Sequence, residues 1–279
     1  MAVLGETLSS VRAFILNRVP WRPILIICLV VLVSIWMLYT PDGVLGKADA
    51  VGYAVCHRLD HRSFHIGEYQ FSVCARCTGQ YLGAVLGLLF LSILRPRRVG
   101  RPPWSVIVIL LLGAVGYAID GFNSFLHLLP WTENFWIYEP TNTLRLITGT
   151  MVGLGISVML FPAFNQTIWI RYDPRPVLRG KVFIVLLALA VVLVLLVLTE
   201  NPTILYPLSL ISAGGVFILL TLIYTIVWIM LFGLENRFDH LHQLIFPLLA
   251  GFTVALLQIL VIDGLRYWLT GTWGGFPLG

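Results

Sequence analysis

The residue types best able to do chemistry are gathered in one short stretch. Cys56-His57-Arg58-Leu59-Asp60-His61-Arg62-Ser63-Phe64 is followed ten residues later by Cys74-Ala75-Arg76-Cys77-Thr78-Gly79. Three of the four cysteines and three of the six histidines fall between Cys56 and Cys77. A C-x2-C pair sets two thiolates where they can grip one tetrahedral metal, and Cys56 with a histidine would complete a Cys3His set suited to zinc. The candidate ligands are Cys56, His57, Cys74 and Cys77. His61 and His65 are substitutes for His57, because adjacent side chains such as Cys56 and His57 point apart unless the chain bends. The start of an apolar helix near Cys77, with Arg76 beside it, favours thiolate. On an oxidising outer face the same spacing also suits a disulfide, or thiol exchange with Cys56 as a third thiol, and reduced cysteines also serve as packing. Cys28, far from the others, reads as a small buried hydrophobe.

A second concentration of polar residues follows. Asp120, Asn123, Ser124 and His127 recur at i, i+3, i+4 and i+7, one face of a helix. Asn142 and Arg145 lie one turn apart on a returning helix. Counted from Trp104, Asp120 lies roughly 24 Å along its helix, inside a hydrocarbon core about 30 Å thick. A charge at that depth needs a partner, and Arg145 is the expected one. Asp120 and His127 are the candidate acid/base groups, and Asn123, Asn142 and Arg145 the candidate binding residues. Asp239-His240-x-His242 reads as a solvated turn, and Asp263 with Arg266 as an interfacial pair. No P-loop, G-x-S-x-G or H-E-x-x-H pattern is present.

The elements that must position these groups are membrane helices. The chain is 58% hydrophobic and 11% charged, with a mean hydropathy of +0.91, whereas about a quarter of residues are charged in soluble domains. The fold class is an all-α integral membrane protein, a bundle of about seven transmembrane helices. Expected spans are Pro23–Tyr39, Thr78–Leu94, Trp104–Gly121, Asn142–Phe164, Val182–Thr199, Leu208–Phe232 and Leu244–Leu265. The first is too long for a cleaved signal and reads as an anchor. Prolines punctuate the gaps, among them Pro130, Pro202 and Pro207. Trp21, Trp104, Trp131, Trp136, Trp268 and Trp273 fall where interfacial aromatics belong.

Small residues form two stripes, Gly79, Gly83 and Gly87 in span 2 and Gly149, Gly153 and Ser157 in span 4, a spacing of four that lets helices approach closely in lipid. Spans 2, 3 and 4 are expected to form one unit capped by the Cys/His segment. With Arg12, Arg18, Arg22 and the basic residues after spans 2, 4 and 6 counted inside, lysines and arginines divide twelve to six. That bias places the N-terminus in the cytoplasm and the C-terminus outside. The expected organisation is an N-terminal segment and anchor over 1–49, a core over 50–165 and a three-span region over 166–279.

The segments Cys56-His57-x4-Arg62-Ser63-Phe64, Cys74-Ala75-Arg76-Cys77-Thr78-Gly79, Asp120-Gly121 and Asn142-x2-Arg145-x2-Thr148-Gly149 occur in that order. In this the chain resembles a prokaryotic polytopic membrane-protein family known as a domain of unknown function. The resemblance covers roughly residues 50–160 and implies that the four motifs build one site; it supplies no reaction. Arg58 stands where the resemblance leads one to expect glutamine.

Since a fully ligated Cys3His centre is closed, and closed centres are structural, the favoured expectation is a zinc-like structural site facing outward beside the Asp/Asn/Arg cluster. The chain would then be a structural or accessory subunit of a membrane complex. Its partners would be the bilayer and other membrane subunits, with no nucleic acid. The alternatives are a membrane-embedded metal-dependent enzyme acting on a lipid or anionic head group, an outer-face thiol redox protein, and a transporter.

Overall fold

The computed structural model describes residues 21–128 and 136–274. Arg12, Arg18, Pro130 and Trp131 of the sequence argument, and residues 275–279 at the C-terminal end, lie outside them. Eight helices are described: α1 Trp21–Tyr39, α2 Gly43–Val55, α3 Ala75–Leu94, α4 Trp104–Leu126, α5 Asn142–Ile168, α6 Gly180–Leu198, α7 Pro202–Phe232 and α8 Ile245–Thr270. All but α2 are long and apolar enough to cross a membrane, α8 together with the turn Leu241–Leu244 before it. Each expected span lies inside one of these helices, apart from Thr199, which caps α6, and Leu244, which caps α8. Pro207 does not mark a gap but sits in the second turn of α7. Cys28 is exposed on α1 rather than buried.

The connection after span 1 is not simply polar. Residues 43–55 form α2, whose Gly46, Ala48, Ala50 and Gly52 are buried. Ala48 and Val51 meet Ala213, Val216 and Ile259 of α7 and α8, while Gly46 backs onto Pro41 and Gly52 onto Ser72. The low hydropathy of these small residues hid a packed element. Lys47 reaches back from α2 to the end of α1, donating to the carbonyls of Met37 at 2.7 Å and Thr40 at 3.0 Å, which satisfies a helix terminus that has no partner of its own.

The tightest contact in the bundle joins α3 and α5. A Cβ added at Gly79 would strike the Leu146 carbonyl, and one at Gly83 the Thr150 carbonyl. One at Gly149 would strike the Arg76 carbonyl, and one at Gly153 that of Gln80. The two stripes read from the sequence therefore face each other. Helix α4 packs against α5, and α7 against α3.

Successive spans alternate in direction, so the connections sort to two ends. At one end, strand β3 (Arg98–Gly100) pairs in parallel with β4 (Asp173–Pro176), and Arg97 stacks on Trp169 at 4.3 Å while donating to the Asp239 carbonyl. At the other end lies the Cys/His segment, as a 3-10 turn Asp60–Arg62 and an antiparallel hairpin of β1 (His65–Ile66) and β2 (Tyr69–Gln70).

Replacing Gly83 by leucine is expected to destabilise the bundle by about 1–3 kcal/mol, the usual cost of overpacking, or to splay α3 from α5. Gly116 meets nothing within 4 Å, so Gly116→Leu is the matched control. Thermal melting in detergent should show a lower midpoint for the first variant only.

Candidate functional site

The three cysteines converge through their helix ends. Cys56 follows the last residue of α2, its N–H bonded to the Gly52 carbonyl at 2.8 Å. Cys74 is the N-cap of α3 and Cys77 lies in its first turn. Gly52 is the hinge of the approach, because a Cβ there would overlap the Ser72 carbonyl. The hairpin between them folds inward on Phe64, Phe71 and Val73, which form one apolar cluster with Cys56. As a result the Sγ atoms of Cys56, Cys74 and Cys77 all lie within 4.8 Å of one another.

Hydrogen bonding in the cluster favours negative sulfur. The Cys56 sulfur accepts the backbone N–H of Cys74 at 3.2 Å and of Arg58 at 3.5 Å. Side-chain hydrogen bonds from Cys56 and Cys77 hold the Cys74 thiol well below its ordinary range, with nearby Arg76 assisting. The bond to Cys74 and burial push the Cys56 thiol up to about 12. The hydrogen bonds within the trio thus favour negative charge on the Cys74 sulfur. A divalent ion would displace the thiol protons.

Buried polar contacts hold the segment in place. Arg58, in the left-handed region at φ 52°, pairs with Asp49 of α2 at 3.0 Å. Tyr69 also donates to Asp49. The Gln70 amide donates to the Arg58 carbonyl at 2.9 Å and to Ser63 Oγ at 3.0 Å. Arg266 of α8 is buried. Its guanidinium donates to the carbonyls of Tyr53 and Cys56 and stacks on the Tyr53 ring at 3.8 Å. It caps the C-terminal end of α2 immediately before the first cysteine. Asp263, expected at the interface, is buried too.

Beside the cysteines the polar cluster forms with a different pairing from the one expected. Asp120, 1% exposed, takes Arg76 as its ion-pair partner and not Arg145. It also accepts from the Tyr138 hydroxyl at 3.0 Å. Arg76 sits in the first turn of α3 and Asp120 near the end of the antiparallel α4, so the two meet at one height. Arg145 donates to Asn142 at 2.8 Å. Asn142 in turn reaches the carbonyls of His61 and Ser63 at 3.4 Å, and Arg62 donates to the Ser124 carbonyl at 2.9 Å. Asn123 is spent on backbone, its amide bonded to Ile137 N–H at 2.7 Å and the Tyr138 carbonyl at 2.8 Å.

The histidines stay at the rim. His57 is exposed and no histidine joins the three-sulfur group among the described residues. His65 pairs with Asp60 at 2.9 Å, His61 accepts from Arg62 at 3.2 Å, and His127 packs on Trp136 at 4.8 Å. His240 and His242 stack on each other at the opposite end.

A family model described as "Predicted membrane protein (DUF2085)" matches residues 56–159. Similar proteins include an uncharacterised protein of Methanocaldococcus jannaschii, 30% identical over 125 residues, which covers 44% of this chain and 72% of that protein. Another is an uncharacterised protein of Methanothermobacter thermautotrophicus, 31% identical over 105 residues, covering 38% of this chain and 83% of that protein. No solved structure matches the chain. The matched stretch begins at Cys56 and ends within α5, so it contains every cysteine of the cluster together with Arg62, Arg76, Asp120 and Arg145.

Removing one member of a buried ion pair costs about 3–5 kcal/mol because the other charge is stranded. Asp120→Asn should therefore lower the melting midpoint strongly, and Asp120→Asn with Arg76→Gln should recover a large part of the loss. Asp120→Asn with Arg145→Gln should recover little. Equal recovery in both double variants would contradict the observed pairing.

Proposed function

The chain belongs to the predicted membrane-protein family DUF2085, and from that premise we propose that Cys56, Cys74 and Cys77 hold one zinc-like ion at the outer face of the membrane. The observation that carries this is the mutual approach of three sulfurs within 4.8 Å. Tetrahedral zinc with Zn–S near 2.3 Å needs sulfurs about 3.8 Å apart, a small contraction of the arrangement present. The two backbone N–H groups on the Cys56 sulfur support the same donor set, since such bonds favour the charged form.

The ion would act as a staple. It would tie the end of α2 to the first turn of α3 and so close the connector that carries Arg58, Arg62 and the hairpin. A cross-link over a loop of that size contributes on the order of 3 kcal/mol in the chain-entropy account. The protein is then a structural or accessory membrane component whose site is held in shape by metal. A second reading is favoured by the position of the histidines: a three-thiolate centre keeps an exchangeable fourth position, as metal-dependent enzymes require. That reading makes the substrate a lipid or other anionic group.

Full-length protein purified without chelator should contain about one zinc-like ion per chain, and Cys74→Ser should lose it. Lowering the pH should release the ion, because proton and metal compete for the same sulfurs. Metal-free, folded protein with a disulfide between two of the three cysteines would overturn the proposal in favour of thiol exchange. The outward orientation predicts that a C-terminal tag is reached by an impermeant label in intact cells; labelling only after permeabilisation would invert it.

A further inference from the structure

A cavity of about 270 Å³ lies beside the cysteines, bordered by His57, Arg62, Cys74, Arg76, Leu128 and Arg145. Three guanidiniums thus share one space. Among the described residues only Asp120 forms an ion pair with any of them, and it is committed to Arg76. Arg145 is 5% exposed, and its Nε has no hydrogen-bond acceptor among the described residues. Among the described residues Arg62 donates only to a histidine nitrogen and a backbone carbonyl. Burial, and then the charges of Arg145 and Arg76, pull the Arg62 guanidinium down to about 10, with Cys74 and Asp120 partly offsetting them.

Half-buried guanidiniums are costly unless their forks are filled, and the planar fork matches the oxygens of phosphate with two parallel hydrogen bonds. The rest of the lining is apolar, from Leu59, Phe125 and Leu128. We propose that this cavity binds a tetrahedral oxyanion of the phosphate class through Arg62, Arg76 and Arg145. Asp120 and Ser124 then act as positioning residues, because they fix Arg76 from behind. The anion arrives either as aqueous phosphate or as the phosphomonoester head group of a lipid, since the cavity lies at the end of the bundle where both are present. The assignment stands on the guanidiniums and does not require the metal.

The test uses full-length protein with two probes. Labelled inorganic phosphate is measured by equilibrium dialysis, and phosphatidic acid is offered in phosphatidylcholine nanodiscs and read by native mass spectrometry. Metal content and melting midpoint are recorded on the same samples. Wild-type protein should bind at least one probe, phosphate alone indicating an aqueous source and phosphatidic acid alone a lipid source. Arg62→Gln should weaken that binding about tenfold or more, the worth of a charge-assisted bond, with metal content unchanged, while Arg62→Lys should retain part of it. Arg145→Gln should behave likewise; if it does not fold, the half-buried Arg62 decides. Wild-type protein that binds neither probe, or Arg62→Gln that binds as wild type, overturns the proposal. Loss of metal and anion together in Arg62→Gln also overturns it, since the arginines would then serve the thiolates. Metal retained without anion sinks this inference alone, and anion bound without metal sinks the metal proposal alone.

Discussion

Direct backbone contact between α3 and α5 is the constraint on which the rest of the structure depends. In lipid no hydrophobic force draws helices together, so association relies on close van der Waals packing, and small residues provide it. Here Gly79 and Gly83 meet the carbonyls of Leu146 and Thr150, while Gly149 and Gly153 meet those of Arg76 and Gln80. The consequence is geometric. The first turn of α3, with Cys77 and Arg76, is locked at one height against the first turn of α5, with Asn142 and Arg145. A slip of one turn, about 5.4 Å, would separate the sulfurs from the guanidiniums.

Charge explains how that end of the bundle is finished. Arg76 neutralises Asp120, Arg58 neutralises Asp49, and Arg266 satisfies the last carbonyls of α2. Each of these cations fixes a backbone segment next to a cysteine. Arg62 and Arg145 are different, because no carboxylate answers them among the described residues, and they border a cavity that Cys74 also borders. Arg76 does both, since it pairs with Asp120 and borders the same cavity.

Much of this was legible in the chain itself. Long apolar runs marked the seven spans, because a helix in lipid must be apolar over its whole length. The glycine stripes announced the α3–α5 contact, and the C-x2-C spacing announced the sulfur pair. What escaped depended on tertiary contact. Helix α2 is too short and too rich in glycine and alanine to give a hydropathy signal. Arg76 was read only as a neighbour of the thiolates, although its place at the start of one helix, level with the end of the next, was a clue to its pairing with Asp120. Arg266 lies 210 residues from the Cys56 carbonyl it binds, a distance no local pattern bridges. The adjacency of Cys56 and His57 suggested two ligands, yet the chain leaving α2 in extended conformation at Cys56 buries the sulfur and leaves the imidazole at the rim.

The metal centre proposed at Cys56, Cys74 and Cys77 would carry a spectroscopic signature. X-ray absorption at the zinc edge of purified full-length protein tests it most directly. The account predicts three sulfur scatterers near 2.3 Å and one lighter nitrogen or oxygen scatterer near 2.0–2.1 Å, with the sulfur count falling to two in Cys56→Ser. A spectrum without a sulfur shell, or a sulfur count unchanged in Cys56→Ser, would contradict it.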